Sequence, residues 1–248
     1  MGNRFYEAGG QRAARVNDLF AAIAPRYDLI NDLQSFGLHR WWKRRLIQLA
    51  LVRHDDTALD LCCGTGDVAF ALAAAGAWTT GMDFSLPMLA EAEARKTRRK
   101  GRTAGLAVPE GPVFLKGDAL HTGFPDAHFD VVTISYGLRN LASVEAGLQE
   151  MWRVLKPGGR LLVLDFGKPD NVAWRAVYFA YLRLAVPVFG RLFAQNAEAY
   201  AYILESLQHY PAQRGVDEQV RALGSVNARI VNLVGGMMSI NVAEKPRG

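Results

Sequence analysis

The stretch from Thr57 to Ala75 constrains this chain more than any other. A short apolar run, Thr57 to Leu61, leads straight into Cys62-Cys63-Gly64-Thr65-Gly66, and an Ala-rich segment, Val68 to Ala75, follows until Gly76 stops it. Such a run closed by a glycine turn reads as a buried strand, and the Ala-rich segment reads as a helix. A strand that passes at once into a helix must cross over to reach a parallel neighbour, so an α/β layer structure is expected.

The next segments extend the pattern. Trp78 to Met82 reads as a second strand ending at Asp83, with Ser85 capping a helix from Leu86 through Lys100. After a loop rich in Gly and Pro, Val113 to Lys116 forms a third strand that delivers Asp118 and Ala119. Phe129 to Ser135 is almost continuously apolar, as a strand buried on both faces should be. Ala142 to Leu155 is helical, Lys156-Pro157-Gly158-Gly159 ends it, and Arg160 to Phe166 is a fifth strand. The tail from Ser225 to Glu244 reads as two further strands around Gly235-Gly236, giving a doubly wound, mostly parallel seven-stranded sheet. Two helical additions flank this core. The first fifty residues carry Val16, Leu19, Phe20 and Ile23 at helical spacing, and Ala173 to Phe193 with Glu198 to His209 is rich in Tyr, Phe, Leu and Trp. These aromatic helices are either ordinary core or a lid over an apolar ligand. At 248 residues the chain suits one domain, divided as a helical cap (1–50), a core (51–168), a lid (169–215) and C-terminal strands (216–248).

The only two cysteines, Cys62 and Cys63, are neighbours and cannot staple distant segments, and no paired His spacing accompanies them, so a disulfide scaffold and a metal site are not expected. No apolar leader is visible in Met1 to Gln11, and no apolar run approaches the roughly 20 residues of a membrane span. A cytoplasmic protein is the expectation. The charge of +5 comes from 29 basic and 24 acidic residues and concentrates in Arg95, Lys96, Arg98, Arg99, Lys100 and Arg102. Without interleaved aromatics or a finger, helix-turn-helix or RNP pattern, that run reads as a solvated helix end rather than a nucleic-acid site. Contact with anionic lipid also suits it.

The chemistry is expected at the carboxyl edge of the sheet. The glycine turn matches neither Gly-x-Gly-x-x-Gly nor a P-loop, so neither a dinucleotide nor a nucleoside triphosphate is well matched. Asp83, 18 positions after Thr65 at the end of the second strand, can accept hydrogen bonds from two ribose hydroxyls. Asp118 can take an adenine amino group, the Ala119 N–H can donate to the ring, and Ser135 lines the same cleft. Singly, Asp83 and Asp118 also suit capping or turn roles.

With these residues in place the chain resembles the class I S-adenosylmethionine-dependent methyltransferases, a Rossmann-like fold, and more closely the UbiE/MenG family of quinol C-methyltransferases. The resemblance rests on Phe20 to Asp28 with Asn31, Ser35 to Trp41, Gly64-Thr65-Gly66-Asp67, Ser135-Tyr136-Gly137-Leu138-Arg139-Asn140, Arg153 to Gly159, and Ala199 to Tyr202 followed by Glu205-Ser206. It implies S-adenosylmethionine contacts at Thr65, Asp83, Asp118, Ala119 and Ser135, with S-adenosylhomocysteine as product. Cys62-Cys63, Tyr136, Asp118 and Asp165-Phe166 depart locally from the family pattern. The implied reaction attacks a methyl group from a ring carbon of a polyprenyl quinol, activated as phenolate, at a membrane surface. Demethylmenaquinol is the expected substrate, and the benzoquinol precursor of ubiquinol stays open. A quinol hydroxyl titrates near 10, so phenolate needs a base or a nearby cation. Arg139 is the candidate cation, with Asn140 orienting it, and a structural salt bridge is the other reading of Arg139. His39 and Tyr27, with Asp28 and Tyr136, are candidates for proton traffic or substrate positioning, although a His beside Trp41-Trp42 is as often a packing residue. A homodimer is compatible with these residues but not specified by them. Another class I enzyme acting on a small phenol or sterol, and a non-catalytic nucleic-acid binder, are the competing readings.

Overall fold

The computed structural model describes residues 31–32, 35–102, 111–189, 206–207 and 209–248. Helix α1 (Leu38–Ala50) precedes β1 (Thr57–Leu61), α2 (Asp67–Ala74), β2 (Trp78–Asp83), α3 (Leu86–Arg102), β3 (Val113–Lys116) and β4 (Phe129–Ser135). A 3-10 turn at Leu138–Asn140, α4 (Val144–Val154), β5 (Leu155–Phe166), α5 (Val172–Phe189), α6 (Ala212–Ala222), β6 (Arg229–Leu233) and β7 (Met238–Glu244) complete it. The strands form one sheet in the order β3-β2-β1-β4-β5-β7-β6. Pairs within β1 to β5 are parallel, and β7 runs antiparallel to both β5 and β6.

Strand alternation builds two cores from one sheet. Leu59, Leu61, Val132, Ile134, Leu161 and Val163 point to the face covered by α4, α5 and α6, where Leu148, Met151, Tyr178, Leu182 and Val216 meet them. Ala58, Val131, Leu162 and Leu164 point to the other face, against Trp42 and Leu46 of α1 and Val68 and Leu72 of α2. Sequence order runs one way from β1 to β3 and the other way through β4 and β5, so the topological switch point lies between the carboxyl ends of β1 and β4.

The strands expected at Thr57, Val113 and Phe129 have the observed bounds. Three local differences have physical causes. The Ser85 hydroxyl caps nothing among the described residues; its own N–H donates to Asp83 Oδ1 at 2.8 Å. Helix α4 starts at Val144, because Ser143 is the cap, its Oγ accepting from Ala146 N at 3.1 Å. The two strands expected in the tail are β6 and β7, and a helix not read from the sequence, α6, precedes them across the boundary drawn at 215/216; Ala212, Val216 and Val220 bury one stripe of it, and Asn241 of β7 donates to the Gln213 carbonyl. Three members of the basic run on α3 are tied within the fold. Arg95 donates to Thr65 and Asp67, Arg98 pairs with Glu91, and the Arg99 guanidinium lies 4.2 Å from the Phe70 ring centroid.

The Asp60 carboxyl is buried within the sheet. Asp60, 1% exposed on β1, accepts the Thr133 hydroxyl at 2.8 Å, and burial pushes its carboxyl up to about 7. The unfolded chain releases that proton near pH 3.9 while the folded chain keeps it until about pH 7. Stability from this group is therefore complete below about pH 4 and lost as pH rises toward 7. Asp60→Asn should flatten the profile across that window, removing a difference of about 4 kcal/mol. Chemical denaturation of both proteins at steps between pH 4 and 8 reads it directly; parallel profiles would show that Asp60 is ionised in the fold.

Candidate active site

A cavity of about 240 Å³ opens at the switch point. Its wall is assembled from strand ends: Cys62 after β1, Met82 and Asp83 of β2, Asp118 and Ala119 beyond β3, and Ser135 and Tyr136 at the end of β4. Phe84, Ser85 and Met88 close one side, and Gly137, Asn140, Leu141 and Ala142 another. The lining is mostly apolar with a few convergent polar groups, the usual make-up of a small-molecule site.

The Asp83 carboxylate organises the floor. Oδ2 accepts the Gly64 N–H and Oδ1 the Ser85 N–H, both at 2.8 Å, so one side chain ties the glycine turn to the start of α3. Burial pushes its pKa up, against the pull of those backbone donors. Each oxygen keeps a lone pair for a ligand. Asp118 is more exposed, and its Oδ1 accepts the Leu120 N–H at 2.9 Å. The Ser85 and Ser135 hydroxyls are buried on this wall without a hydrogen-bond partner among the described residues. Buried hydroxyls left unpaired cost about 1–3 kcal/mol each, which is reason to expect a polar ligand here.

Backbone strain gathers at the same place. Cys62 and Tyr136 adopt φ of 52° and 59°, conformations that side chains with a Cβ rarely take. The two strand ends are pressed together, since a Cβ on Gly137 would lie 2.5 Å from the Cys62 Cβ. Gly66, at φ 86° beneath the Phe114 ring, starts α2. Burial pushes the Cys62 and Cys63 thiols well up, which fits packing residues rather than nucleophiles.

Comparison with known proteins bears on what this cavity serves. A model of the ubiE/COQ5 methyltransferase family matches residues 8–245. The chain belongs to that family. A demethylmenaquinone methyltransferase of Thermus thermophilus is 44% identical over 230 residues, covering 92% of this chain and all of that protein. The ubiquinone/menaquinone biosynthesis C-methyltransferase UbiE of Azotobacter vinelandii is 38% identical, covering 95% and 92%. Among solved structures, a SAM dependent methyltransferase from Aquifex aeolicus is similar at TM-score 0.58 and 16% identity, over 88% of this chain and 97% of that one. A SAM-dependent methyltransferase from Thermotoga maritima reaches TM-score 0.62, also at 16% identity, over 92% and 99%. These structures share the Rossmann-like class I fold.

Of the site residues expected from sequence, Asp83, Asp118, Ala119, Ser135 and Asn140 are brought together on the cavity wall. The Asn140 amide donates to the Tyr136 carbonyl at 3.2 Å. Thr65 is not on that wall. It is 3% exposed, and its hydroxyl accepts from Arg95 Nη1 at 2.8 Å, within the junction where Lys43 and Arg95 hold Asp67 at about 2 although burial alone would push it up.

Arg139 is also elsewhere. Its Nη1 donates to Asp165 Oδ1 at 2.6 Å and to the Tyr136 carbonyl at 2.7 Å, and its guanidinium lies 4.6 Å from the Phe166 ring centroid. The structure thus places it in the salt bridge that was its alternative reading. His39 is 3% exposed, with Nε2 2.7 Å from Asp32 Oδ1, and burial lowers its pKa against the pull of that carboxylate. It is buried in the first turn of α1 and does not line the cavity. Tyr27, Asp28 and the lid residues Tyr200 and Tyr202 lie outside the described residues. Sequence reasoning missed Ser85, Met82 and Met88 as wall residues. Ser85 was legible as the polar residue directly after the carboxylate strand end, where its hydroxyl had two uses.

Proposed function

We propose that this protein is an S-adenosylmethionine-dependent C-methyltransferase acting on the ring carbon of a reduced polyprenyl naphthoquinone, demethylmenaquinol, with S-adenosylhomocysteine as product. What carries the reading is the convergence of Asp83, Asp118, Ala119 and Ser135 on one cavity at the switch point of a ubiE/COQ5 family member. The residues fit the nucleoside end of the cofactor. Asp83 would accept the ribose hydroxyls, Asp118 and the Ala119 N–H would meet the adenine edge, and the unpartnered Ser85 and Ser135 hydroxyls would find partners. S-adenosylmethionine supplies an electrophilic methyl group when bound. The names of relatives with 36–44% identity support the naphthoquinol.

The chain's own residues do positional work. Arg139 clamps the Tyr136 carbonyl to Asp165, which fixes the 3-10 turn carrying Asn140 into the cavity. Asn140 reinforces the clamp from the same carbonyl and stands on the cavity wall where the ring substrate would lie. The apolar wall of Met82, Met88 and Leu141 keeps water from the methyl donor. The substrate must be the reduced quinol, because a quinone carbon is not a nucleophile. A benzoquinol is the second reading, favoured by the UbiE-named relative.

The test is methyl transfer from labelled S-adenosylmethionine to chemically reduced demethylmenaquinol, with the oxidised quinone and a demethylated benzoquinol alongside. Transfer to the reduced naphthoquinol alone is expected. Transfer to both quinols makes it a dual-pathway enzyme, and no transfer despite cofactor binding overturns the substrate assignment.

A further inference from the structure

The segment Ser35–Arg45 is not used by the cavity, yet the chain spends strain and polar groups on shaping it. Phe36 sits at φ 50° followed by Gly37 at φ 74°, and Phe36 is 74% exposed. A bulky residue in the left-handed region costs free energy, and here that cost holds an aromatic ring in water rather than in the core. The turn is held by four side-chain contacts. Ser35 Oγ donates to the Asn31 carbonyl at 2.6 Å and accepts the His39 N–H at 3.2 Å, while Asp32 meets both His39 and the Arg40 guanidinium.

The helix that follows has two unlike faces. His39, Trp42, Leu46, Leu49 and Ala50 are buried, whereas Leu38 is 41% and Trp41 48% exposed. Arg44 and Arg45, one turn after Trp41, are exposed beside it. The solvent face therefore combines an aromatic, an aliphatic and two cations, with no acidic residue between Gly37 and Ala50. Such a face suits the headgroup region of an anionic bilayer, where rings enter the acyl boundary and cations meet phosphate.

Its location is also suitable. Lys43 reaches Asp67 at the start of α2 and lies 5.9 Å from the ring centroid of Tyr136, a cavity residue. The amino end of α1 is thus at the carboxyl edge of the sheet, with Leu38 about 7 Å beyond Lys43 along the helix axis at 1.5 Å per residue and Phe36 in the turn just before it.

We propose that Phe36, Leu38 and Trp41, with Arg44 and Arg45, form a docking surface for a bilayer bearing anionic headgroups, holding the cavity edge against the membrane. The surface itself is argued from exposure, strain and charge. Its purpose rests on the proposed function, since a polyprenyl quinol resides in a bilayer.

The test uses the full chain and two variants, Phe36→Ser/Trp41→Ser and Arg44→Gln/Arg45→Gln, in flotation with phosphatidylcholine vesicles with and without phosphatidylglycerol. Wild type is expected to bind the anionic vesicles and to release them as salt rises. The arginine pair should weaken binding about 30-fold, as two lost surface cations imply, and the aromatic pair at least about tenfold. Both variants should methylate a short-chain, water-dispersed naphthoquinol like wild type and lose rate only on long-chain quinol held in anionic vesicles. Wild type that ignores the vesicles, or variants that bind them unchanged, overturn the proposal. So does a wild-type dimer, seen by sedimentation without lipid, that the aromatic pair dissolves, because the face would then belong to a second copy. Vesicle binding lost in the variants, in a protein that methylates neither quinol, would keep the docking surface and remove the proposed substrate.

Discussion

Arg139→Ala is expected to lower folding stability by about 3–5 kcal/mol, roughly 10 °C in melting temperature for a chain of this size. The guanidinium is 6% exposed and its partner Asp165 1% exposed, at 2.6 Å. Removing the cation leaves a buried carboxylate that, among the described residues, accepts from the N–H groups of Arg139, at 3.2 Å, and Phe166, at 2.8 Å. Two neutral donors do not replace a full charge in a low-dielectric interior. Arg139→Met together with Asp165→Leu should recover most of the loss, since replacing both members of a buried pair with apolar residues is often neutral. Arg139→Lys tests the positioning role separately. It keeps the charge but replaces the planar guanidinium, which lies over the Phe166 ring and whose Nη1 reaches both Asp165 and the Tyr136 carbonyl, with an ammonium on a shorter stem, so it should raise KM for the cofactor while kcat stays within about tenfold. The measurements are thermal unfolding and steady-state kinetics well below the lowered midpoint. An unchanged melting temperature with kcat reduced 10²-fold or more would mean that Arg139 acts on the developing phenolate instead.

The position of Arg139, paired with Asp165 and off the cavity wall, marks where sequence reasoning ends. Strand ends were legible because the parallel strands are short, mostly apolar runs closed by small or polar residues, Cys62-Cys63-Gly64 after β1, Asp83 on β2, Gly117-Asp118 after β3 and Ser135 on β4, and the order of such ends dictates which side chains share a crevice. Asp83 and Asp118 followed from that rule alone. The direction of a side chain at a strand end was not legible. Thr65 and Arg139 lie next to cavity residues in sequence, and each turns away because a buried partner, Arg95 or Asp165, comes from a distant segment. Helix α6 was missed because Gly215 and its many polar residues obscure a stripe of only Ala212, Val216 and Val220. The exposed Phe36 could not be read either, for a ring held outward by a left-handed backbone looks in sequence like any core aromatic.

Asp83→Ala should weaken S-adenosylmethionine binding about 30-fold or more, the equivalent of about 2 kcal/mol for lost charged hydrogen bonds. Two effects add. The carboxylate no longer accepts from the ligand, and the Gly64 and Ser85 N–H groups that it holds at 2.8 Å lose their common acceptor, so the glycine turn drifts from α3. Thr65→Val is the contrast: its hydroxyl faces Arg95, so affinity should fall no more than about threefold, within a single neutral hydrogen bond. The pH dependence separates the carboxylate's charge from its shape. Burial raises the Asp83 pKa, and hydroxyl donors favour the ionised form, so wild-type affinity should decline on acidification at a pH above the usual carboxylate range. Ligand binding consumes no proton above that window and releases one within it, which calorimetry in two buffers of different ionisation enthalpy detects. Asp83→Ala should show neither the decline nor the proton release. A wild-type affinity indifferent to acid, or an alanine variant that binds as tightly, would take Asp83 out of the cofactor site and leave it as the clamp between β2, the glycine turn and α3.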